Sequence, residues 1–168
     1  MSESVPFSTA SIDSMVTKAM HHVFQIMVNQ DARLVEKTAT YVAPADFAAE
    51  QILGTVGFVG DLNGLIYIRL DAHFARATAG RVLGMSDAEI AEGGNDLLKD
   101  TIGELTNMMV GTFKNGFCDL GYPCKLTLPT IIFGHHPTIP HAKGTTRSIY
   151  RFDVAGHAFF VDLQLKAD

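Results

Sequence analysis

Tryptophan is absent from this 168-residue sequence, and cysteine occurs only twice. Cys118 and Cys124 are too few for a disulfide framework, and their C-x5-C spacing matches no redox motif. They read as buried free thiols. Basic residues are also in short supply. Thirteen Lys and Arg against eighteen Asp and Glu leave a formal net charge of −5, which argues against a nucleic-acid surface built from clustered cations. No apolar run approaches the roughly 20 residues of a membrane span. The opening stretch MSESVPFSTASID has no basic segment leading into an apolar one, so no signal peptide is expected and a cytoplasmic location follows. A GxxxxGK[ST] phosphate loop is missing too. What is present, 47% hydrophobic and 18% charged residues, suits a globular protein large enough for a real core. No linker or low-complexity tract divides it, so one domain over 1–168 is expected.

Along the chain, Ser11 to Asn29 reads as an amphipathic helix. Ser11 is the expected N-cap, and Ile12, Met15, Val16, Ala19, Val23, Ile26 and Met27 recur at helical spacing. Leu34 to Ala43 alternates and suits a half-buried strand, broken by Pro44 and Asp46. Ile52 to Val59 and Leu65 to Leu70 flank Gly60-Asp61-Leu62-Asn63-Gly64, where the Asn-Gly pair predicts a hairpin. Ala72 to Leu83 is a shorter helix with Gly84 as its C-cap. Ser86 and Glu89 form a capping-box pattern for a further turn of helix, and Gly93-Gly94 separates that piece from a long helix, Asn95 to Asp119. After Gly121-Tyr122-Pro123 comes a strand, Lys125 to Phe133. Leu128-Pro129-Thr130 interrupts it, implying an edge position or a bulge. His135 to Thr145 is a loop, and Ser148 to Val154 with His157 to Leu165 form a second hairpin across Ala155-Gly156.

The order helix, strand, hairpin thus occurs twice, in half-repeats of about 11–70 and 94–166 joined by a helical segment, 72–92. The fold class expected is α+β: a pseudo-symmetric domain with an antiparallel sheet and helices packed on it.

The long helix organises the rest. With about 100° of rotation per residue, Leu98, Ile102, Leu105, Met109 and Phe113 fall on one apolar arc. Asp100, Glu104, Asn107 and Gly111 fall on another, spanning roughly 60°. Gly111 is the odd member, because a mid-helix glycine costs about 1 kcal/mol against alanine. In return it leaves a bare patch of backbone that another surface could approach. Spacing alone favours the plainer reading, a solvated helix face. If the halves superpose, the Glu104 and Asn107 positions meet Met20 to Phe24, where His21 and His22 stand instead, so only the second half would carry a site.

Seven histidines invite a metal site. His135, His136 and His141 share one loop, but their spacing matches no standard zinc pattern and no acid or cysteine lies among them. They read as solvent-exposed, as do His21 and His22 on their helix. No metal ligand set is assigned. Met15, Met20, Met27, Met108 and Met109 read as core filler, with one of the last two free to touch a partner.

The pattern Asp100-x-x-x-Glu104-x-x-Asn107, continued by Met108-Met109-Val110-Gly111 and followed by Leu128-Pro129-Thr130, resembles the CheC/CheX/FliY family of chemotaxis phosphatases. A single copy of the motif makes the chain most similar to CheX. The likeness runs through the first helix, the GTVGFVGDLNGLIYIRL hairpin, the long helix, the LPTIIFG strand and the C-terminal hairpin. The resemblance implies a CheC-like fold and removal of the phosphoryl group from the aspartyl phosphate of a CheY-like response regulator. By the same resemblance Glu104 anchors a receiver lysine and Asn107 orients the attacking water. Asp100, Met108, Gly111 and Pro129 would belong to the partner-binding surface. The chain would need no cofactor of its own, Mg²⁺ being expected in the receiver domain, and a homodimer is implied. Glu and Asn at i and i+3 are neighbours on one helix face, and an amide can hold a water without acting as a base. The other reading is a non-catalytic adaptor that binds a receiver or another signalling or flagellar protein.

Overall fold

Ser8, not Ser11, starts the first helix. In the computed structural model, which describes residues 8–166, the Ser8 hydroxyl accepts the Ser11 N–H at 3.1 Å, and α1 (Thr9–Val23) begins immediately after it. Ser11 sits in the first turn, its hydroxyl 2.9 Å from that of Ser8. The helix closes through a π-helical turn, Phe24–Val28, that ends on Asn29 in the left-handed region at φ 55°. Residues 1–7, most of the stretch inspected for a leader, lie outside the described residues.

Seven strands follow in one antiparallel sheet: β1 (Arg33–Thr38), β2 (Glu50–Gly60), β3 (Gly64–Asp71), β4 (Cys124–Leu126), β5 (Thr130–His135), β6 (Thr145–Val154) and β7 (His157–Lys166). Between them run α2 (Ala72–Leu83) and α3 (Asp87–Asp119). Gly84 caps α2 at φ 66°, and the capping box of Ser86 and Glu89 opens α3 with both reciprocal hydrogen bonds formed, as their spacing requires. Gly94, at φ 66° and ψ −158°, kinks α3 and sets the direction of the longer segment after it. Both hairpins form. The turn of the second has positive φ at Ala155 and Gly156. In the first, Asn63 acts through its side chain, whose Oδ1 accepts the Gly60 N–H at 3.1 Å.

Two strand expectations change. β1 stops at Thr38, five residues before Ala43, because the chain leaves the sheet to seat Tyr41 over Arg69. The strand expected over Lys125 to Phe133 is two strands, β4 and β5, both paired with β2. Thr127 bridges the break, its N–H donating to Gly57 O and its hydroxyl accepting the Gly57 N–H, each at 2.8 Å. Leu128 and Pro129 loop out beyond it, at a sheet edge, where a missing N–H costs nothing.

The sheet order is β1-β6-β7-β3-β2, with β4 and β5 end to end on the outer side of β2. The two hairpins meet at β3 and β7 in the centre. Each half's leading strand then pairs with the other half's hairpin: β1 with β6, and β5 with β2. The repeat is therefore interlocked. All three α-helices among the described residues lie on one face, where Ile52, Val56, Phe58, Ile66, Ile68, Leu70, Phe159, Val161 and Leu163 form the main core with them. The opposite face carries a smaller cluster of Phe47, Ile149 and Phe160, with Tyr41 and Ala158 packed on it.

One close approach fixes where α3 lies. A Cβ on Gly54 of β2 would overlap the Thr106 hydroxyl of α3, and that hydroxyl is already committed to Ile102 O at 2.7 Å. Gly54→Ala is therefore expected to force helix and sheet apart and to cost about 1–3 kcal/mol. Thermal unfolding will register the loss; an unchanged melting temperature would show that α3 has slack there.

Candidate functional site

The apolar arc of α3 is where the sequence places it. Leu98, Ile102, Leu105, Met109 and Phe113 are at most 2% exposed. Phe58 of β2 packs against both Phe113 and Phe117, which meet edge to face at 4.8 Å. Each fully buried side chain of this size contributes roughly 1.5–3 kcal/mol of transfer free energy, so the helix cannot roll on the sheet. Its orientation decides what reaches solvent.

What reaches solvent is the polar stripe. Asp100, Glu104 and Asn107 are all exposed. None has a hydrogen bond or ion pair to the rest of the described chain, although the threonines of the same helix do: Thr101, Thr106 and Thr112 each donate to a carbonyl four residues back. An exposed Asp96 stands one turn before Asp100, so a ridge of three acids leads along the helix to the amide. From Glu104 to Asn107 the rise along the axis is about 4.5 Å, within reach of a single docked surface. Gly111 is half-buried, and a Cβ added to it would meet nothing within 4 Å. The fold itself does not demand a glycine there, unlike at Gly54 and Gly116, where a Cβ would strike Thr106 and Met15.

Met108 is half-buried and packed against the core, and Met109 is fully buried. Pro129 is half-buried in the break between β4 and β5. Ile131, two residues on, would lie 3.7 Å from a Cβ on Gly103, so the strand that follows Pro129 runs against α3 one turn before Asn107.

Sequence reasoning missed the neighbour of this stripe. α1 lies alongside α3, and between them runs a groove of about 600 Å³ whose walls include Lys18 and His22 from α1, Gln25 from the π-helical turn that follows it, and Thr112, Asn115 and Asp119 from α3. Asn115 is one turn beyond Gly111 on the same stripe, so groove and stripe are continuous. The half-repeat pattern pairs the two helices by position and was the available signal; their contact, with Gly116 against Met15, is tertiary.

The other candidates separate. His135, His136 and His141 are exposed, with His141 Nε2 2.7 Å from Thr145 O. No three His, Cys, Asp or Glu side chains converge as a metal cage among the described residues. His21 pairs with Asp31 at 2.9 Å, both more than half exposed. Cys124 is buried, and desolvation raises its thiol pKa. Cys118 is exposed, contrary to the reading of both as buried thiols: next to the buried Phe117, it turns about 100° away from the core. No helix among the described residues is long and apolar enough to cross a membrane.

Comparison with known proteins follows the same lines. The family model described as "Chemotaxis phosphatase CheX" matches residues 52–153. Among curated proteins, none matches the sequence significantly. Among solved structures, a CheC-like superfamily protein from Shewanella superposes with a TM-score of 0.80 at 20% identity, covering 95% of this chain and 100% of its own. The chemotaxis protein CheX of Vibrio vulnificus gives 0.77 at 21%, covering 92% and 99%. The CheX of a CheX–CheY–BeF3–Mg²⁺ complex from Borrelia burgdorferi gives 0.73 at 20%, covering 92% and 97%. At these identities the likeness is one of fold, and the fold is CheC-like.

Proposed function

The chain belongs to the CheX family of chemotaxis phosphatases, and from that premise we propose that it hydrolyses the aspartyl phosphate of a CheY-like response regulator at the exposed stripe of α3. The observation that carries this reading is an exposed Glu104 and Asn107 on one face of a rigidly seated helix, neither bonded to its own fold. Unpaired polar groups held in fixed positions are what a docking partner can use without first breaking internal bonds.

In the proposed step, a water oxygen attacks phosphorus in line with the acyl oxygen. The bond between phosphorus and that aspartyl oxygen breaks, and its electron pair stays with the aspartate carboxylate. The other product is inorganic phosphate, which retains or releases the water proton. Asn107 holds that water through its amide, which both donates and accepts. It takes no proton, and a loose phosphoryl-transfer transition state chiefly needs positioning and charge stabilisation. Glu104 pairs with a receiver lysine and fixes the register of docking. Asp100 adds to the acidic approach, Met108 and Gly111 let the partner backbone come close, and Pro129 flanks the same side of α3. Mg²⁺ would come with the receiver and supply charge neutralisation at the phosphoryl group.

Phosphate release from a CheY-like regulator charged by a small acyl phosphate, with Mg²⁺ and with or without this protein, tests the reading. Acceleration proportional to added protein supports it. Binding of the activated regulator with no acceleration would replace it by the adaptor.

The family reading extends to a homodimer, and the sheet edges differ in a way that favours one side. The β1 edge carries Arg33, Glu36 and Lys37 and a bulge between Leu34 and Glu36, the usual protections against strand pairing. The opposite edge, at β5, has no Lys, Arg, Asp or Glu and leaves Leu128 88% and Ile132 41% exposed. Self-association is proposed along β5. Ile132→Lys is then expected to yield a monomer by light scattering; a variant that stays dimeric would move the interface elsewhere.

A further inference from the structure

On the sheet face away from the helices, Arg69 of β3 is 3% exposed and pairs with no carboxylate at ion-pair distance. An arginine stays charged at any ordinary pH, and a buried charge without a counter-charge is costly. Its Nη1 donates to Gln51 Oε1 at 2.6 Å and to Pro137 O at 2.8 Å, which occupies both hydrogens of that nitrogen. The Nε and Nη2 edge makes no further hydrogen bond of good geometry, although the Tyr41 hydroxyl stands near enough to favour its charge. That edge is the fork that meets two oxygens of a carboxylate or phosphate side by side. The Tyr41 ring lies 4.0 Å from the guanidinium carbon, and its hydroxyl is buried with no hydrogen-bond partner. Burial raises the Tyr41 pKa, and the Arg69 charge and the close polar groups of Gln51 and Arg69 offset only part of that, so the hydroxyl keeps its proton. The Tyr41 hydroxyl and the open edge of Arg69 therefore stand together.

Both line one cavity of about 260 Å³, with Gln51, His136, Thr138 and Arg147 among its other walls. Arg147 holds Asp162 through Nε at 3.0 and 3.1 Å and Nη2 at 2.5 Å, leaving its Nη1 unused. Asp162 is bonded to Arg147 and not to Arg69. Asp71, on the same strand face, is engaged by the N–H groups of Ala48 at 3.1 Å and Phe74 at 2.8 Å. The cavity floor thus holds two guanidiniums against one bonded carboxylate. The loops that frame it are pinned by the sheet: Pro137 by Arg69, and Pro140 and Ala142 by the Gln164 amide at 2.9 and 2.7 Å. Such a site exists before any ligand arrives, and little ordering would oppose binding. Its size falls below the roughly 300–1,000 Å³ of drug-sized ligand sites, which favours an anion of a few heavy atoms.

We propose that this cavity is a binding site for a small phosphate-sized oxyanion, held by the Nε and Nη2 edge of Arg69, the Nη1 of Arg147 and the Tyr41 hydroxyl. It lies across the sheet from α3 and does not depend on the aspartyl-phosphate reading. Inorganic phosphate is the probe, titrated into the full chain while the arginine Nε–H resonances are followed by ¹H–¹⁵N NMR, with sodium chloride at matched ionic strength alongside. The Arg69 resonance is expected to move saturably with phosphate and not with chloride. Tyr41→Phe keeps the ring over the guanidinium and removes only the partnerless hydroxyl. It is expected to unfold at the same temperature or higher without phosphate, and to bind phosphate about tenfold more weakly, as loss of a hydrogen bond to a charged group implies. No saturable shift, or an equal shift with chloride, would overturn the site. A Tyr41→Phe variant that melts earlier without phosphate yet binds it unchanged would also overturn it, leaving Tyr41 and Arg69 as loop anchors.

Discussion

Asn107→Ala is expected to lower stimulated dephosphorylation of the receiver by at least about a hundredfold, the scale set by losing one fixed donor or misplacing a reacting atom by about 1 Å. The fold should not change. Asn107 is exposed and its side chain is bonded to nothing in the described chain, and alanine is the better helix former, so the melting temperature should hold or rise slightly. That combination separates a chemical role from a structural one. Two further substitutions sharpen it. Asn107→Asp keeps the shape, removes both N–H donors and brings a negative charge toward the phosphoryl group, so it should be as poor as alanine. Asn107→Gln keeps the chemistry but pushes the amide out by one methylene, so partial activity is expected. Single-turnover phosphate release with saturating phosphatase reads all three. Turnover near that of the unmodified protein in Asn107→Ala would sink the water-positioning role, whatever the binding data say.

The second large effect is at docking. Glu104→Lys replaces the proposed anchor by a like charge facing the receiver lysine, and affinity for the activated regulator should fall about tenfold to a hundredfold. The rate at saturation should change far less, so the defect should appear in KM and not in kcat. Because Glu104 is exposed, raising the salt should weaken the unmodified pair and narrow the gap between the two proteins. Asp96 and Asp100 share the ridge, so their removal should add smaller losses of the same kind. A Glu104→Lys variant that binds as tightly as the unmodified protein would remove the anchoring role, and an altered kcat at unchanged affinity would assign Glu104 to the chemistry.

Much of the candidate site is legible in the amino-acid sequence, because it lies on one helix. Residues at i, i+4, i+7 and i+11 share a face by helix geometry alone, and the apolar arc beside them states which face is turned inward. Every buried member of that arc, from Leu98 to Phe113, is where the periodicity puts it. Local chemistry likewise sets the Gly84 cap, the Ser86–Glu89 box and the second hairpin turn. The cap of the first helix lies three residues earlier than expected, since Ser8 and Ser11 are both acceptable N-caps.

What sequence order could not settle is which surfaces meet. The groove beside Asn115 needs α1 laid against α3, and the cavity at Arg69 needs two loops, about 95 residues apart in the chain, folded onto one sheet face. A lone Arg in an alternating strand reads as solvent-facing, and it becomes a buried charge only once those loops cover it.

By itself the sequence determined the helices and the two hairpins, the caps at Gly84 and Ser86, the buried stripe of α3 and the exposure of Glu104 and Asn107. Each of these depends on residues within a few turns of one another. The tertiary structure alone decided that β1 and β5 cross to the opposite hairpins, that Gly54 admits Thr106, and that Arg69 and Tyr41 are left facing a cavity together. Those outcomes rest on strand pairing and packing between distant segments, where alternation prescribes a face but names no neighbour.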